Sequence, residues 1–408
     1  MDKSSMQIIV FFAMVVFVAV YVTITNNKRK QNAIINKLKN GWGKPAQRKY
    51  TGDDYECISH YFKRNANENS IDDITWNDLG MDDIFRMMNN TNSSAGQEYL
   101  YRMLRQPDAD MESLKKLDKL ATAIDKNASK RLELQKIFVW IGRAKHISIS
   151  DYCDVVVGLD KKSNALHYAS LLFLVAAIVF TCVINPVIGI WLCIAAVAFS
   201  IITYYKFKAG VDRYFICVNH IVKLLMGAGK ITALNVDFLE EYNIKLKNIT
   251  EDLSDIMKRS WLLETGNVDG SIMEMALDYL RMLTHADLIK FNNLIKLFHD
   301  KEKSIYELID TLGFIESSIA IASFRNMLDA WCIPEFKNDS DMQLEVKNVY
   351  HPLIKKPVAN SISTKHNVLL TGSNASGKST FLKTIAVNAL LSQTIYTSVS
   401  DYYKAPVY

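Results

Sequence analysis

The chain has 408 residues and a mass of 46.4 kDa, room for two or three domains at about 150 residues each. Hydrophobic residues make up 49% and charged residues 22%, with only 16 Gly and 7 Pro, which excludes a disordered, fibrous or low-complexity chain. The net charge of +5 suits a membrane surface or a nucleic acid and demonstrates neither. A mean hydropathy of +0.02 points to strongly apolar segments averaged with a polar globular remainder. The cysteines (Cys57, Cys153, Cys182, Cys193, Cys217 and Cys332) form no C-x-x-C pair, a pattern of reduced thiols and not of disulfides or zinc.

Met6 to Thr25 is an uncharged apolar run, matching the ~20 residues that cross a ~30 Å hydrocarbon layer as a helix. Only Lys3 precedes it, whereas Lys28, Arg29, Lys30, Lys37, Lys39, Lys44, Arg48 and Lys49 follow. The positive-inside rule then puts the N-terminus outside and the following chain in the cytoplasm. A cleaved signal peptide is the alternative, but the run is too long and no A-x-A site follows.

Between Ser70 and Pro107 two amphipathic helices are expected around a polar Asn/Thr/Ser/Gly break, with Ile84, Met87 and Met88 on one face and Leu100, Met103 and Leu104 on another. Ala165 to Tyr205 holds two apolar stretches broken by the turn signal Asn185-Pro186, with Lys161 and Lys162 before and Lys206, Lys208 and Arg213 after. This reads as a membrane hairpin with both ends cytoplasmic, the alternative being a hairpin buried in a soluble core. From Val211 to Met327 the apolar spacing stays helical, and its Met-rich stripes read as core. Within it, Phe238-Leu239-Glu240 is an F-x-E triplet, a spacing that can wedge and hydrogen-bond a mispaired base; a packed Phe beside a solvated Glu is the simpler account.

Val368 to Thr380 reads VLLTGSNASGKST, an apolar strand running into G-x-x-x-x-G-K-S, followed by the helical run FLKTIAVNALLSQ. Glycines let such a loop curl so that backbone N–H groups point inward, and the loop feeds a helix N-terminus that attracts phosphate. Gly372, Ser373, Asn374, Ala375, Ser376, Gly377, Lys378, Ser379 and Thr380 form the expected ATP cradle, with Lys378 on the β and γ phosphates and Ser379 holding Mg²⁺. The carboxylate of a second strand, needed to place the metal and activate water, has no evident candidate, because the only acid after Ser379 is Asp401. The region from about Met342 to Tyr408 is expected to supply three strands and one helix, fewer than a P-loop domain needs, so the ATPase domain reads as cut short and its catalytic residues as unassigned.

Upstream of the loop stand Val349-Tyr350-His351-Pro352-Leu353-Ile354 and Pro357-Val358-Ala359-Asn360. The order HPLI, VAN and TGSNASGKST resembles the ATPase domain of the MutS DNA mismatch-repair family. NNTNSSAGQEYLYRMLRQP is similar to the start of that family's helical core, and IESSIAIASFRNMLDAWCIPEF to the segment entering its ATPase, with Glu316 in place of the more usual Asp. The likeness is nearest to membrane-anchored bacterial members. It implies ATP and Mg²⁺ as ligands, DNA as a partner and a homodimer through the ATPase domain. Three features depart from the family: a membrane span stands in place of a mismatch-reading domain, no aromatic near Pro357-Val358 is placed to stack on adenine, and Val211–Met327 is short for a core plus clamp.

The fold expected is mainly α with transmembrane helices, followed by the start of an α/β P-loop NTPase domain. Its parts are a membrane helix over 1–27, a cytoplasmic helical region over 28–160, the hairpin over 165–205, a helical core or lever over 209–335 and a partial ATPase over 340–408. The localisation expected is a multi-pass cell-membrane protein with most of the chain cytoplasmic. A membrane scaffold that binds nucleotide without turnover and an ABC-type transporter are the competing functions; only the MutS-like reading explains HPLI and VAN, and a single charge-free hairpin makes a poor transport path.

The lysine and arginine asymmetry predicts that cysteines introduced at Ser4 and Asn185 label with an impermeant thiol reagent in intact cells, while one at Asn65 does not. Labelling at Asn65 would reverse the topology.

Overall fold

The computed structural model describes residues 3–107, 110–144, 147–260, 272–337, 344–373 and 376–407. The chain is mainly helical. The helices before the apolar hairpin are α1 (Lys3–Gly41), α2 (Gly52–Asn65), α3 (Asp73–Asp78), α4 (Met81–Met88), α5 (Ser94–Arg105), α6 (Met111–Lys126), α7 (Ala128–Ile141) and α8 (Ile149–Val157). The hairpin is α9 (Ala165–Val183) and α10 (Pro186–Ala233), followed by α11 (Glu240–Asp252), α12 (Ser254–Ser260), α13 (Ile272–Thr284), α14 (Ala286–Phe298) and α15 (Glu302–Arg325). Strands β1 (Glu335–Phe336), β2 (Leu344–Val349) and β3 (Asn360–Thr364), helix α16 (Lys378–Ile395) and strand β4 (Tyr402–Ala405) complete it.

Expected boundaries reappear for local reasons. The Asn/Thr/Ser break falls between α4 and α5, where Ser93 caps α5 by accepting from Gly96 N. Ile84, Met88, Leu100 and Leu104 are buried on the faces their spacing assigned. Asn185 caps α10 by accepting from Val187 N and Ile188 N, with Pro186 in the first turn. Phe238 lies in a short 3₁₀ turn, half-buried against the core, and Glu240 is exposed. The second arm of the hairpin does not stop at Tyr205: α10 continues unbroken for 48 residues.

Among the described residues, three segments are long and apolar enough to cross a membrane: Ala165–Val183, Pro186–Asp212 and Tyr214–Ala233. Helix α9 is largely uncovered, with Leu172 and Val183 exposed along it and Val187 and Trp191 exposed at the start of α10. Tyr214–Ala233, which its spacing assigned to helical core, buries Val218, Ile221, Val222, Leu224, Leu225 and Ala228 as expected. Met6–Thr25 lies within α1; most of its side chains lie outside the described residues, and Met14, Val18, Tyr21 and Val22 are exposed.

Helix α15 is the centre of the helical body, buried along most of its length. Its Glu316 reaches the N-terminus of α5: Oε1 and Oε2 each accept from Ser93 N at 3.2 Å, and the carboxylate also accepts from Asn92 N and Ser93 Oγ. Gly96 makes this approach possible, since a Cβ there would lie 2.1 Å from Glu316 Oε2. A second carboxylate, Glu98 on α5, accepts from Ile149 N at 2.8 Å and from Ser148 Oγ, tying α5 to the start of α8. The start of α5 and the middle of α15 are thus bonded to each other across 223 residues.

A buried polar joint fastens the hairpin to the helices below it. His285, at positive φ before α14, lies with Nε2 3.0 Å from Ser200 O and Nδ1 3.0 Å from His167 Nδ1. Ser200 Oγ also lies 3.1 Å from His285 Nε2. Tyr204 OH donates to Asp287 at 2.8 Å beside this joint.

The small sheet runs β1-β4-β2-β3, with β1 parallel to β4 and the other pairs antiparallel. It buries Val346, Val349, Tyr403 and Ala405. Three strands and one helix do occupy 344–407, as expected, but the strand assigned to Val368–Leu370 is not among them.

Burial raises the Glu316 carboxyl to about 7 and the Glu98 carboxyl to about 8, against hydrogen bonds from Ser93 and Ser148 that lower them. A raised folded-state pKa means that the native protein holds protons the unfolded chain releases. Stability from these groups is therefore complete below about pH 4.5 and is lost as pH rises through 7 to 8. Glu316→Gln should flatten the dependence of the unfolding midpoint on pH between 5 and 8, measured by denaturation in neutral detergent; an unchanged slope would show that Glu316 is not protonated on folding.

Candidate nucleotide-binding site

The loop before α16 is built on two glycines at positive φ, Gly372 at +155° and Gly377 at +86°. Gly377 is the N-cap residue of α16, a place where a Cβ would be strained whatever the space around it. Lys378, the first residue of the helix, turns back over the loop: Nζ donates to Ser373 O at 2.5 Å and to Gly372 O, and lies 3.5 Å from Ser376 Oγ. Ser376 N donates to Ser373 O at 3.3 Å, closing the turn, and Phe381 N to Gly377 O at 2.8 Å, starting the helix. Gly372, Ser373, Ser376, Ser379 and Thr380 are exposed; Asn374 and Ala375 lie outside the described residues.

The structure thus brings Lys378 together with Gly372, Ser373 and Ser376 and leaves Ser379 and Thr380 on the open first turn. These residues fit a phosphate: an ammonium held, among the described residues, by neutral oxygens, at a helix start whose first N–H groups have no intrahelical acceptor. Ser379 supplies a hydroxyl next to that position, as a hard cation bridged to phosphate requires.

The stretch before the loop corrects the expected strand. Val368, Leu369 and Leu370 have no strand pairing and are 56%, 88% and 38% exposed. A strand apolar on both faces needs neighbours on both edges, and among the described residues β3 is the sheet edge and nothing pairs beyond it.

Everything on the other side of α16 is firmly held. Val387, Leu390, Leu391 and Ile395 join the helical core. Asn388 accepts from Val399 N at 2.6 Å and donates to Tyr350 O at 3.4 Å, and Tyr350 OH donates to Ala330 O at 2.9 Å. His351, next to Tyr350, is pushed below the ordinary imidazole range by burial and by Lys383 on α16. Asn360 opens β3 and donates to its own neighbour Val358 O. Asp401 accepts from Asn348 Nδ2 at 2.6 Å, a bond that closes the sheet.

The residue that sequence reasoning missed is Arg325. At the buried end of α15 it pairs with Asp118 on α6 at 2.6 Å, and donates from Nε to Thr397 Oγ1 at 2.9 Å and from Nη2 to Tyr396 O at 3.0 Å. A cation thereby satisfies the carbonyl end of α16. Nothing in a lone Arg after a helical run signals that role; the nearly all-buried character of α15 is the only hint.

No family model matches the chain. Over 128 residues, 29% of the chain, it is 31% identical to MutS protein homolog 4 of Mus musculus and 27% identical to the Homo sapiens protein of that name. Over 72 residues, 17% of the chain, it is 40% identical to Endonuclease MutS2 of Streptococcus pyogenes. These matches span 13% and 9% of the relatives' own lengths. They are partial similarities to MutS-family proteins.

Arg325→Met should lower stability by about 2 kcal/mol or more, because it leaves the half-buried Asp118 carboxylate, the Tyr396 carbonyl and the buried Thr397 hydroxyl without their donor. Hydrogen exchange should rise first in α16. A uniform loss of protection with α16 unchanged relative to the core would mean that Arg325 does not anchor this helix.

Proposed function

We propose that this chain is a membrane-anchored, MutS-related protein that binds ATP with Mg²⁺ through Gly372–Thr380. The observation that carries the reading is the return of Lys378 over the loop at the start of α16, in a chain with partial similarity to MutS-family proteins. Lys378 and the first-turn N–H groups would take the β and γ phosphates, and Ser379 the metal. The apolar hairpin α9–α10 and the run in α1 would hold the protein in the bilayer, with the helical body and the loop in the cytoplasm. By the same similarity the partners are DNA and a second copy of the ATPase region. With a net charge of +5, DNA contact is assigned to phosphates and to shape.

A nucleotide-binding scaffold without turnover is the second reading. Its support is that Asp401, which lies beyond α16, accepts from Asn348 in the sheet.

Binding of a fluorescent ATP analogue to the detergent-purified chain should weaken about tenfold or more in Lys378→Ala, since a charged hydrogen-bond donor to phosphate is lost. Equal binding by both proteins would sink the nucleotide assignment. Duplex DNA should bind with a steep salt dependence and little mismatch preference; a strong preference for a mismatch would reassign the DNA contact to base reading.

A further inference from the structure

Helices α5, α6, α11 and α15 line a cleft of about 730 Å³, which Thr394 in the last turn of α16 also lines. That size falls within the ~300–1,000 Å³ of clefts that take a small organic ligand. Thr394 stands roughly 24 Å along the helix axis from Lys378 at about 1.5 Å per residue, so the cleft is a place distinct from the glycine loop.

Gly313 on α15 lets α5 approach closely, since a Cβ there would lie 2.6 Å from Tyr99 Cβ and 2.9 Å from Ala95 O. The Tyr99 ring meets Phe314 edge-on with centroids 6.2 Å apart, and Tyr242 of α11 stacks on the same Phe314 at 5.5 Å and 27°. All three rings line the cleft, an aromatic wall of the kind on which a flat base stacks.

The wall ends in hydrogen-bonding groups. Arg102 lies one turn after Tyr99 on α5, and Asp310 one turn before Phe314 on α15; both line the cleft. Arg102 donates from Nη1 to Asp310 Oδ1 at 3.1 Å and from Nε to Gln106 Oε1 at 2.9 Å, and Tyr61 OH donates to the same Asp310 oxygen. Arg102 Nη2 and Asp310 Oδ2 bond to nothing among the described residues, and neither is sealed from solvent. One ion pair thus offers the cleft both a donor and an acceptor. At the rim, Glu241 pairs with Lys116 at 3.3 Å, while Lys245, one turn further along α11, is exposed with no acid in ion-pair reach among the described residues.

We propose that this cleft binds a guanine mononucleotide, with the base against Tyr99, Tyr242 and Phe314, its edge on Asp310 and Arg102, and its phosphate on Lys245. Guanine presents adjacent N–H donors at N1 and N2 beside the O6 acceptor, so Asp310 Oδ2 accepts from the first two and Arg102 Nη2 donates to the third. Adenine has a single donor on that edge and lacks O6, so it matches the pair less well. The proposal makes no use of Lys378 and goes beyond the ATP reading.

Isothermal titration calorimetry of the full chain in neutral detergent, carrying Lys378→Ala to disable the glycine loop, tests it with GMP, AMP and guanosine. One GMP should bind per chain, about tenfold or more tighter than AMP. Tyr242→Leu should weaken GMP about fivefold or more, with Tyr242→Phe retaining it. Lys245→Gln, an exposed change that leaves folding alone, should weaken GMP and leave guanosine unaltered. Asp310→Asn should erase the preference for GMP over AMP. No saturable GMP binding, or equal affinity for GMP and AMP, overturns the proposal, as does an equal loss of GMP and guanosine in Lys245→Gln. GMP bound by the chain with Lys378 intact but not by Lys378→Ala would place it in the glycine loop and overturn the cleft while leaving the phosphate loop supported. A guanine-bearing single strand that displaces GMP at lower concentration than GMP itself would reassign the cleft to nucleic acid.

Discussion

A carboxylate buried between two helices governs how this molecule is put together. Glu316 sits in the middle of α15 and satisfies the N–H groups at the start of α5, groups that would otherwise be orphaned in a dry interior. Desolvation of a carboxylate is costly, and the bonds from Asn92 and Ser93 offset it only with the helix start fixed in place. That demand sets the register of α5 on α15. It also requires Gly96, since any larger residue would displace the carboxylate. Once α5 is placed, Glu98 lies where it caps α8, and the same logic extends the scaffold by one more helix.

From that scaffold the candidate site inherits its rigidity on one side only. Arg325 ends α15 and captures the carbonyl end of α16, and Asn388 and Tyr350 stitch the same helix to the chain around the sheet. The opposite end of α16, with its glycine loop and Lys378, projects from this support into solvent. A fixed helix axis also fixes the direction of its first-turn N–H groups.

The apolar hairpin is joined to the same body in two ways. Helix α10 is shared, exposed and apolar near its start and buried against the core towards its end. The turn before α14 then inserts His285 between α9 and α10, where Ser200 and His167 complete its hydrogen bonds. A rigid shared helix and a polar plug leave little freedom for the hairpin to swivel against the helices that carry Glu316.

Local chemistry in the sequence determined a good deal of this. The Asn185-Pro186 turn, the Ser93 cap, the buried faces of α4 and α5 and the helix after Gly377 all follow from spacing and capping, which act within one or two turns of chain. The glycine loop was legible for the same reason, since Gly372, Gly377 and Lys378 are close in sequence. The strand assigned to Val368–Leu370 failed because pairing depends on a neighbour that local apolarity cannot supply. The run of α10 past Tyr205 was missed because a change from exposed to buried surface is not a change of backbone. Only tertiary structure brought Glu316 to Ser93, Arg325 to Tyr396 and His285 to His167, because each is a buried polar group whose partner lies at least 70 residues away. Periodicity locates what is apolar; the partners of buried polar groups are decided by where the packed chain happens to bring a donor to an acceptor.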